Sequence, residues 1–201
     1  PPLEAVFTID EETGMDGAIA LDGSLLAGRR LLNIDSEEEG ILTVSCAGGA
    51  DSLVDIELDV EPCELNAYRL VISGLVGGHS GAEIDKGRAS AVVLLGRVLQ
   101  ELFDRVPVRV VSAVSGMKAN AIPAHAEAVL ALAEADFEKA QAVLSEMQST
   151  LRADYAVADP NITLTLTPEG KAASALTKHS TRRVCAFLCL APNGVAAMSM
   201  D

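Results

Sequence analysis

The chain has 201 residues, 49% hydrophobic and 22% charged, which is too apolar for a disordered polymer and long enough for one or two folded domains. Its 15 Lys and Arg stand against 29 Asp and Glu, a formal charge of −14, so it offers no electrostatic footprint for a nucleic-acid backbone or an anionic membrane surface. No apolar run reaches the roughly 18 residues of a membrane span, and a soluble protein with neither nucleic-acid nor membrane partners is expected.

The sequence opens Pro1-Pro2 without an initiator Met, which reads as a piece of a longer protein. Ala5-Val6-Phe7 reads as a strand whose carboxyl end runs into Asp10-Glu11-Glu12. Leu31-Leu32-Asn33-Ile34 reads as a second strand delivering Asp35, with a short helix over 16–26 between them. Carboxylates at neighbouring strand ends are how an open α/β sheet builds a metal or acid/base site. Chance in so acidic a chain is the competing explanation, and Glu37-Glu38-Glu39, on a solvated turn, illustrates it. Residues 41–47 suit a short buried strand. Val54, Ile56, Leu58 and Val60 then alternate with acids as a strand with one wet side. Pro62 breaks the pattern, and a domain boundary is placed there.

From Leu65 the elements become regular. Tyr68, Leu70 and Ile72 alternate as a strand, and Ala91, Leu95, Val98 and Leu102 mark a helix within 87–105. Strands follow over 108–114 and 126–132. Asp136 stands where it can N-cap a helix with the stripe Phe137, Ala140, Val143, Leu144, Met147 and Leu151, and the alternation over 162–167 gives a last strand. The order β-α-β-β-α-β is that of a ferredoxin-like sandwich, with two helices over one face of a four-stranded antiparallel sheet. Its exposed edge invites a second copy, so a homodimer is expected. Residues 172–190 read as helical, and 195–200 as the start of a strand returning to the first domain. Cys46, Cys63, Cys185 and Cys189 form no Cys-x-x-Cys pair; they read as small reduced core residues, consistent with a cytosolic protein.

Three groups of residues carry chemistry. Neighbouring Glu11 and Glu12 diverge on an extended backbone, so one can hold a metal while the other faces substrate as a base. His79, within Gly77-Gly78-His79-Ser80-Gly81, sits where flanking glycines allow close approach to a ligand, although the glycines suit a plain turn as well. Asn120, in Ala119-Asn120-Ala121-Ile122-Pro123, is either a substrate-facing amide or a turn former. His125 and His179 carry no supporting pattern and read as structural or surface residues.

In order along the chain, Thr8-Ile9-Asp10-Glu11-Glu12-Thr13-Gly14-Met15, Leu32-Asn33-Ile34-Asp35-Ser36-Glu37, Cys46-Ala47-Gly48-Gly49, Gly77-Gly78-His79-Ser80-Gly81, Asn120-Ala121-Ile122-Pro123 and Pro192-Asn193-Gly194-Val195 resemble the motifs of aminoacyl-histidine dipeptidases. These are dizinc peptidases related to carnosinase, peptidase T and the zinc carboxypeptidases. The resemblance implies an α/β chain: 1–61 part of a zinc-peptidase catalytic domain, 62–190 an inserted ferredoxin-like lid and dimerisation domain, and 191–201 a return toward the catalytic domain. It implies metal-dependent hydrolysis of Xaa-His dipeptides in the cytoplasm. Glu11 would be the general base, Glu12 and Asp35 ligands of two zinc ions, and His79 a catalytic and substrate-binding group reaching the partner subunit's site. Asn120 would lie near the substrate, and the lid would form the homodimer. Lys118-Ala119 departs from the Leu-Arg pair the family often carries before this Asn. The family's upstream His-x-Asp and its closing ligand histidine are not in this sequence, so the 201 residues alone are expected to be inactive. Another dizinc aminopeptidase or tripeptidase, an amide-cleaving deacylase of the same superfamily, or a non-catalytic dimerisation module are the alternatives.

Overall fold

A computed structural model describes residues 3–11, 14–34, 39–44, 48, 50, 52–195 and 197. The chain separates into two compact units, Pro1–Ala50 and Asp51–Asp201.

In the first unit the regular elements are one helical turn, α1 (Asp16–Ile19), and a 3-10 turn over Gly23–Leu25, in place of a continuous helix over 16–26. The strands expected at 5–7, 31–34 and 41–44 are absent among the described residues. Phe7, Leu31 and Ile34 are 92%, 88% and 92% exposed. A strand is a hydrogen-bonded ladder, and an apolar run with no neighbour to pair with has nowhere to place its N–H and C=O groups except water. Residues 45–47, the end of the third expected strand, lie outside the described residues.

The second unit holds β1 (Val60–Pro62), β2 (Asn66–Ser73), β3 (Gly78–His79), α2 (Ala91–Arg105), β4 (Arg109–Ser115), β5 (Ala121–Ile122), β6 (Ala126–Leu132), α3 (Phe137–Asp154), β7 (Thr163–Lys171), β8 (Ser174–Leu176) and α4 (Lys178–Leu190). Strands β4-β6-β2-β7 form one antiparallel sheet in that order, the ferredoxin-like topology read from the sequence. The register is fixed by side chains: Leu70 and Ile72 of β2 and Leu130 and Leu132 of β6 are fully buried. They meet the stripe Leu94, Val98 and Leu102 of α2 and Val143 and Leu151 of α3 in a single core. A slip of one residue would turn each strand's apolar set to water. Tyr68 stacks on Phe137 with ring centroids 4.8 Å apart, joining β2 to the first turn of α3.

Several details differ from the sequence reading. Asp136 occupies the N-cap position of α3 but its side chain makes no cap bond, because Glu134–Asp136 is itself a 3-10 turn with Asp136 in helical conformation. The segment 172–190 is not one helix: β8 first pairs with β1, and Thr177 then starts α4 by accepting the Ser180 N–H at 3.2 Å. The alternation over 54–60 survives only as half-burial of Ile56 and Leu58, with Val60 alone entering β1. Cys63 and Cys185 are buried as expected, and burial pushes the Cys185 thiol up to about 12. Cys189, one turn further along α4, is exposed and is not a core residue. Cys46 lies outside the described residues.

Candidate active site

His79 sits in the long connection from β2 to α2, and the glycines around it each have a geometric reason. At Gly74 φ is +81°, and a Cβ there would lie 2.0 Å from the carbonyl oxygen of Asn161. At Gly78 a Cβ would run into Arg88 and Glu83, at φ +142°. Freed from side chains, the backbone folds back as β3 and pairs with β5, so that His79 stands opposite Ala121, and the Ser80 N–H donates to the Asn120 carbonyl at 2.9 Å. The small ribbon brings together His79 and Asn120, two residues 41 positions apart in sequence (120 − 79).

The imidazole is held by its own turn. His79 Nδ1 accepts the N–H groups of Gly81 and Ala82, both at 3.0 Å. In the neutral ring the proton must then sit on Nε2, which leaves an exposed side chain with a donor at its tip. Gly81 makes this possible, since a Cβ there would press on the ring at 3.2 Å. The His79 N–H donates to Glu83 Oε2 at 3.0 Å, and Glu83 also pairs with Lys86 at 2.8 Å and Arg88 at 3.1 Å. The Lys86 ammonium, then the His79 N–H and the Arg88 guanidinium, hold the Glu83 carboxyl down at about 2. Arg88 in turn donates to the Gly77 carbonyl.

Residues 71–159, which contain this whole arrangement, match the peptidase dimerisation domain of the M20 peptidases. Along 196 residues the chain is 36% identical to the cytosol non-specific dipeptidase of Escherichia coli (strain K12), covering 96% of this chain and 40% of that protein. It also matches the crystal structure of aminoacylhistidine dipeptidase from Vibrio alginolyticus with a TM-score of 0.78 and 33% identity, again over 96% of this chain and 40% of the other. The motif resemblance to aminoacyl-histidine dipeptidases is therefore met, and the chain spans about 40% of the length of both relatives.

The segment that matches the M20 dimerisation domain thus carries His79 and Asn120, while Glu11 belongs to the other unit. There, the Met15 N–H donates to the Asp10 carbonyl at 2.7 Å and the Gly17 N–H to the Ile9 carbonyl at 3.2 Å, a tight turn with Asp10 and Met15 both in left-handed conformation. Glu11 rides on the outside of that turn, exposed and without a partner among the described residues. Glu12 and Asp35 lie outside the described residues. Among the described residues no group of three or more His, Cys, Asp and Glu side chains is arranged to hold a metal ion. No helix is long and apolar enough to cross a membrane. His125, just before β6, sits 2.9 Å from Glu127 of that strand, and His179 is exposed in the first turn of α4. Sequence reasoning missed Glu83, Arg88 and Asp159 in the dimerisation domain. The first two are four and nine residues beyond His79 (83 − 79 and 88 − 79) and carry no motif. The one hint for Asp159 was an Asp before Pro160 in a segment otherwise free of function.

Proposed function

We propose that the intact protein is a cytosolic zinc-dependent dipeptidase with Xaa-His dipeptides as its preferred substrates, working as a homodimer through the M20 dimerisation domain. The observation that carries this reading is the His79 ring: two backbone N–H groups occupy Nδ1, so Nε2–H is the only group left to face a ligand. A fixed donor on a surface loop is suited to hold an oxyanion as it forms on the scissile carbonyl. It reaches that carbonyl from the partner subunit. Asn120, half-buried beside the same ribbon, borders the same space. Glu11 takes the proton of the attacking water, a role open to an exposed carboxylate. Glu12 and Asp35 would be carboxylate ligands to zinc, which when bound supplies a water of lowered pKa and a polarised carbonyl.

The test uses the full-length protein loaded with zinc and a panel of dipeptides with and without a carboxyl-terminal His. Glu11→Gln should abolish hydrolysis with zinc content unchanged, and His79→Ala should lower kcat by about a hundredfold or more. Undiminished turnover by Glu11→Gln removes that residue from the base role, and equal rates across the panel remove the His preference. A second reading, a non-catalytic dimerisation module, draws on the fact that the matched family segment covers 71–159 alone. It predicts a dimer that neither binds zinc nor cleaves any member of the panel.

A further inference from the structure

The loop that carries His79 is closed at its base by a single side chain from elsewhere in the domain. Asp159 lies in the connection from α3 to β7 and is completely buried. Its Oδ1 accepts the Val76 N–H at 2.6 Å and its Oδ2 accepts the Ala89 N–H at 2.7 Å. Val76 is where the chain leaves the sheet toward His79, and Ala89 is where it returns to start α2. One carboxylate therefore clips the two ends of the loop together. No cation among the described residues pairs with it. A buried carboxylate without a cation is tolerable only when its oxygens are filled by donors, and these two short bonds fill them.

The fold gives this clip a specific task. Between Val76 and His79 lie Gly77 and Gly78, both at positive φ and both free of the side chains that would stiffen the backbone. The position of the ring must then be set by hydrogen bonds on either side of the glycines. Downstream are the β3-β5 pairing and Glu83, Arg88 holds the Gly77 carbonyl between them, and upstream Asp159 holds the Val76 N–H. The same carboxylate holds Ala89, two residues before Ala91, whose N–H donates to the Pro123 carbonyl at 2.8 Å just beyond β5. Both strands of the ribbon are thereby referenced to one buried group. A bonding requirement of two acceptors at a fixed spacing also explains the residue type, since Asn offers one acceptor and would turn an NH₂ toward the other N–H.

We propose that Asp159 is a positioning residue that holds the loop on which the His79 turn is built, an inference that rests on the catalytic reading of His79 given above. In the full-length zinc enzyme, Asp159→Ala should lower kcat by about ten- to a hundredfold while KM moves little, with Asp159→Asn in between. Adding either substitution to His79→Ala should cost nothing further, because the clip acts through the ring. Ring ¹⁵N shifts of His79 should lose the pattern of an acceptor Nδ1, and the Gly81 and Ala82 amides should exchange faster while those of Leu70 and Leu130 keep wild-type protection. A further multiplicative loss in the double variant, or an unchanged ring signature and exchange in Asp159→Ala, overturns the proposal. If Asp159→Ala does not fold, Asp159→Asn, which keeps one acceptor, carries the same comparisons. Full activity of His79→Ala alone would instead strike the catalytic reading, and the ring and amide measurements would still decide whether Asp159 positions the loop.

Discussion

Glu83 holds three donors at once, the Lys86 ammonium, the His79 N–H and the Arg88 guanidinium, and its carboxyl is held at about 2 against an ordinary value of 4.5. The sign of the linkage follows. A carboxyl whose folded value is depressed stabilises its loop fully above about 4.5, and that stabilisation is lost as pH falls from there through about 2. A carboxyl ¹³C titration of the full-length protein should therefore show Glu83 still ionised at a pH where exposed glutamates are half protonated. Protection of the His79 amide should fall over the same low range, and in Glu83→Gln it should be low at every pH. A midpoint near 4.5 would mean that the three donors do not act together in solution. Little of this was legible in the sequence. Gly-Gly-His-Ser-Gly announced a turn that brings backbone close to a ligand, but the groups that fix the imidazole are main-chain N–H donors, which every residue has and no sequence distinguishes.

Helix α2 meets α4 at Gly96, where an added Cβ would lie 2.7 Å from the Leu188 carbonyl oxygen and 2.9 Å from the Leu188 Cβ. Those obstacles are backbone and the root of a side chain, which cannot swing aside. Ala has a helix propensity about 1 kcal/mol better than Gly, so an unobstructed Gly96→Ala would stabilise. Overpacking costs typically about 1–3 kcal/mol, and the net outcome should be a loss of roughly 1 kcal/mol with α4 loosened. Urea unfolding read by circular dichroism checks this, and a raised midpoint would show that the helices part without cost. At this scale the second unit was nearly transparent. Period two in Tyr68-Leu70-Ile72 and helical period in Ala91-Leu95-Val98-Leu102 are direct imprints of one buried face. The β3-β5 and β1-β8 ribbons were invisible because pairs of two or three residues leave no periodicity to read. In the first unit the same rule misled: Leu31-Leu32-Asn33-Ile34 is apolar enough for a strand, yet apolar composition specifies burial only when a partner surface is at hand, and among the described residues these side chains face water.

The sheet ends on β4 and β7, and the two edges are treated differently. β7 carries Pro168, Glu169 and Gly170, with a bulge where β2 pairs with it at Ala67 and Tyr68, features that discourage a further strand. On β4 the first residues are covered, Arg109 Nε donating to the Leu176 carbonyl at 2.9 Å and the Val110 N–H to Thr181 Oγ1 at 3.2 Å, whereas Ser112, Ala113 and Val114 are exposed, Val114 at 71%. A sheet with one protected and one open edge offers β4 to a second copy. If the proposed dimer forms there and His79 serves the partner's site, then Glu11→Gln and His79→Ala are complementary defects. Each homodimer lacks one group at both sites. A mixed dimer has one site that combines an intact Glu11 with the partner's intact His79. Random reassortment of equal amounts puts about half the protein in mixed dimers with one working site of two, so about a quarter of wild-type activity should return. Val114→Lys should prevent the recovery by placing a charge on the open edge, while leaving the monomer intact because Glu127 stands directly opposite to receive it. Mixing the two inactive full-length variants, measuring hydrolysis and sedimentation together, checks both halves. Mixed dimers without activity would confine His79 to its own subunit, and recovery that survives Val114→Lys would move the interface away from β4.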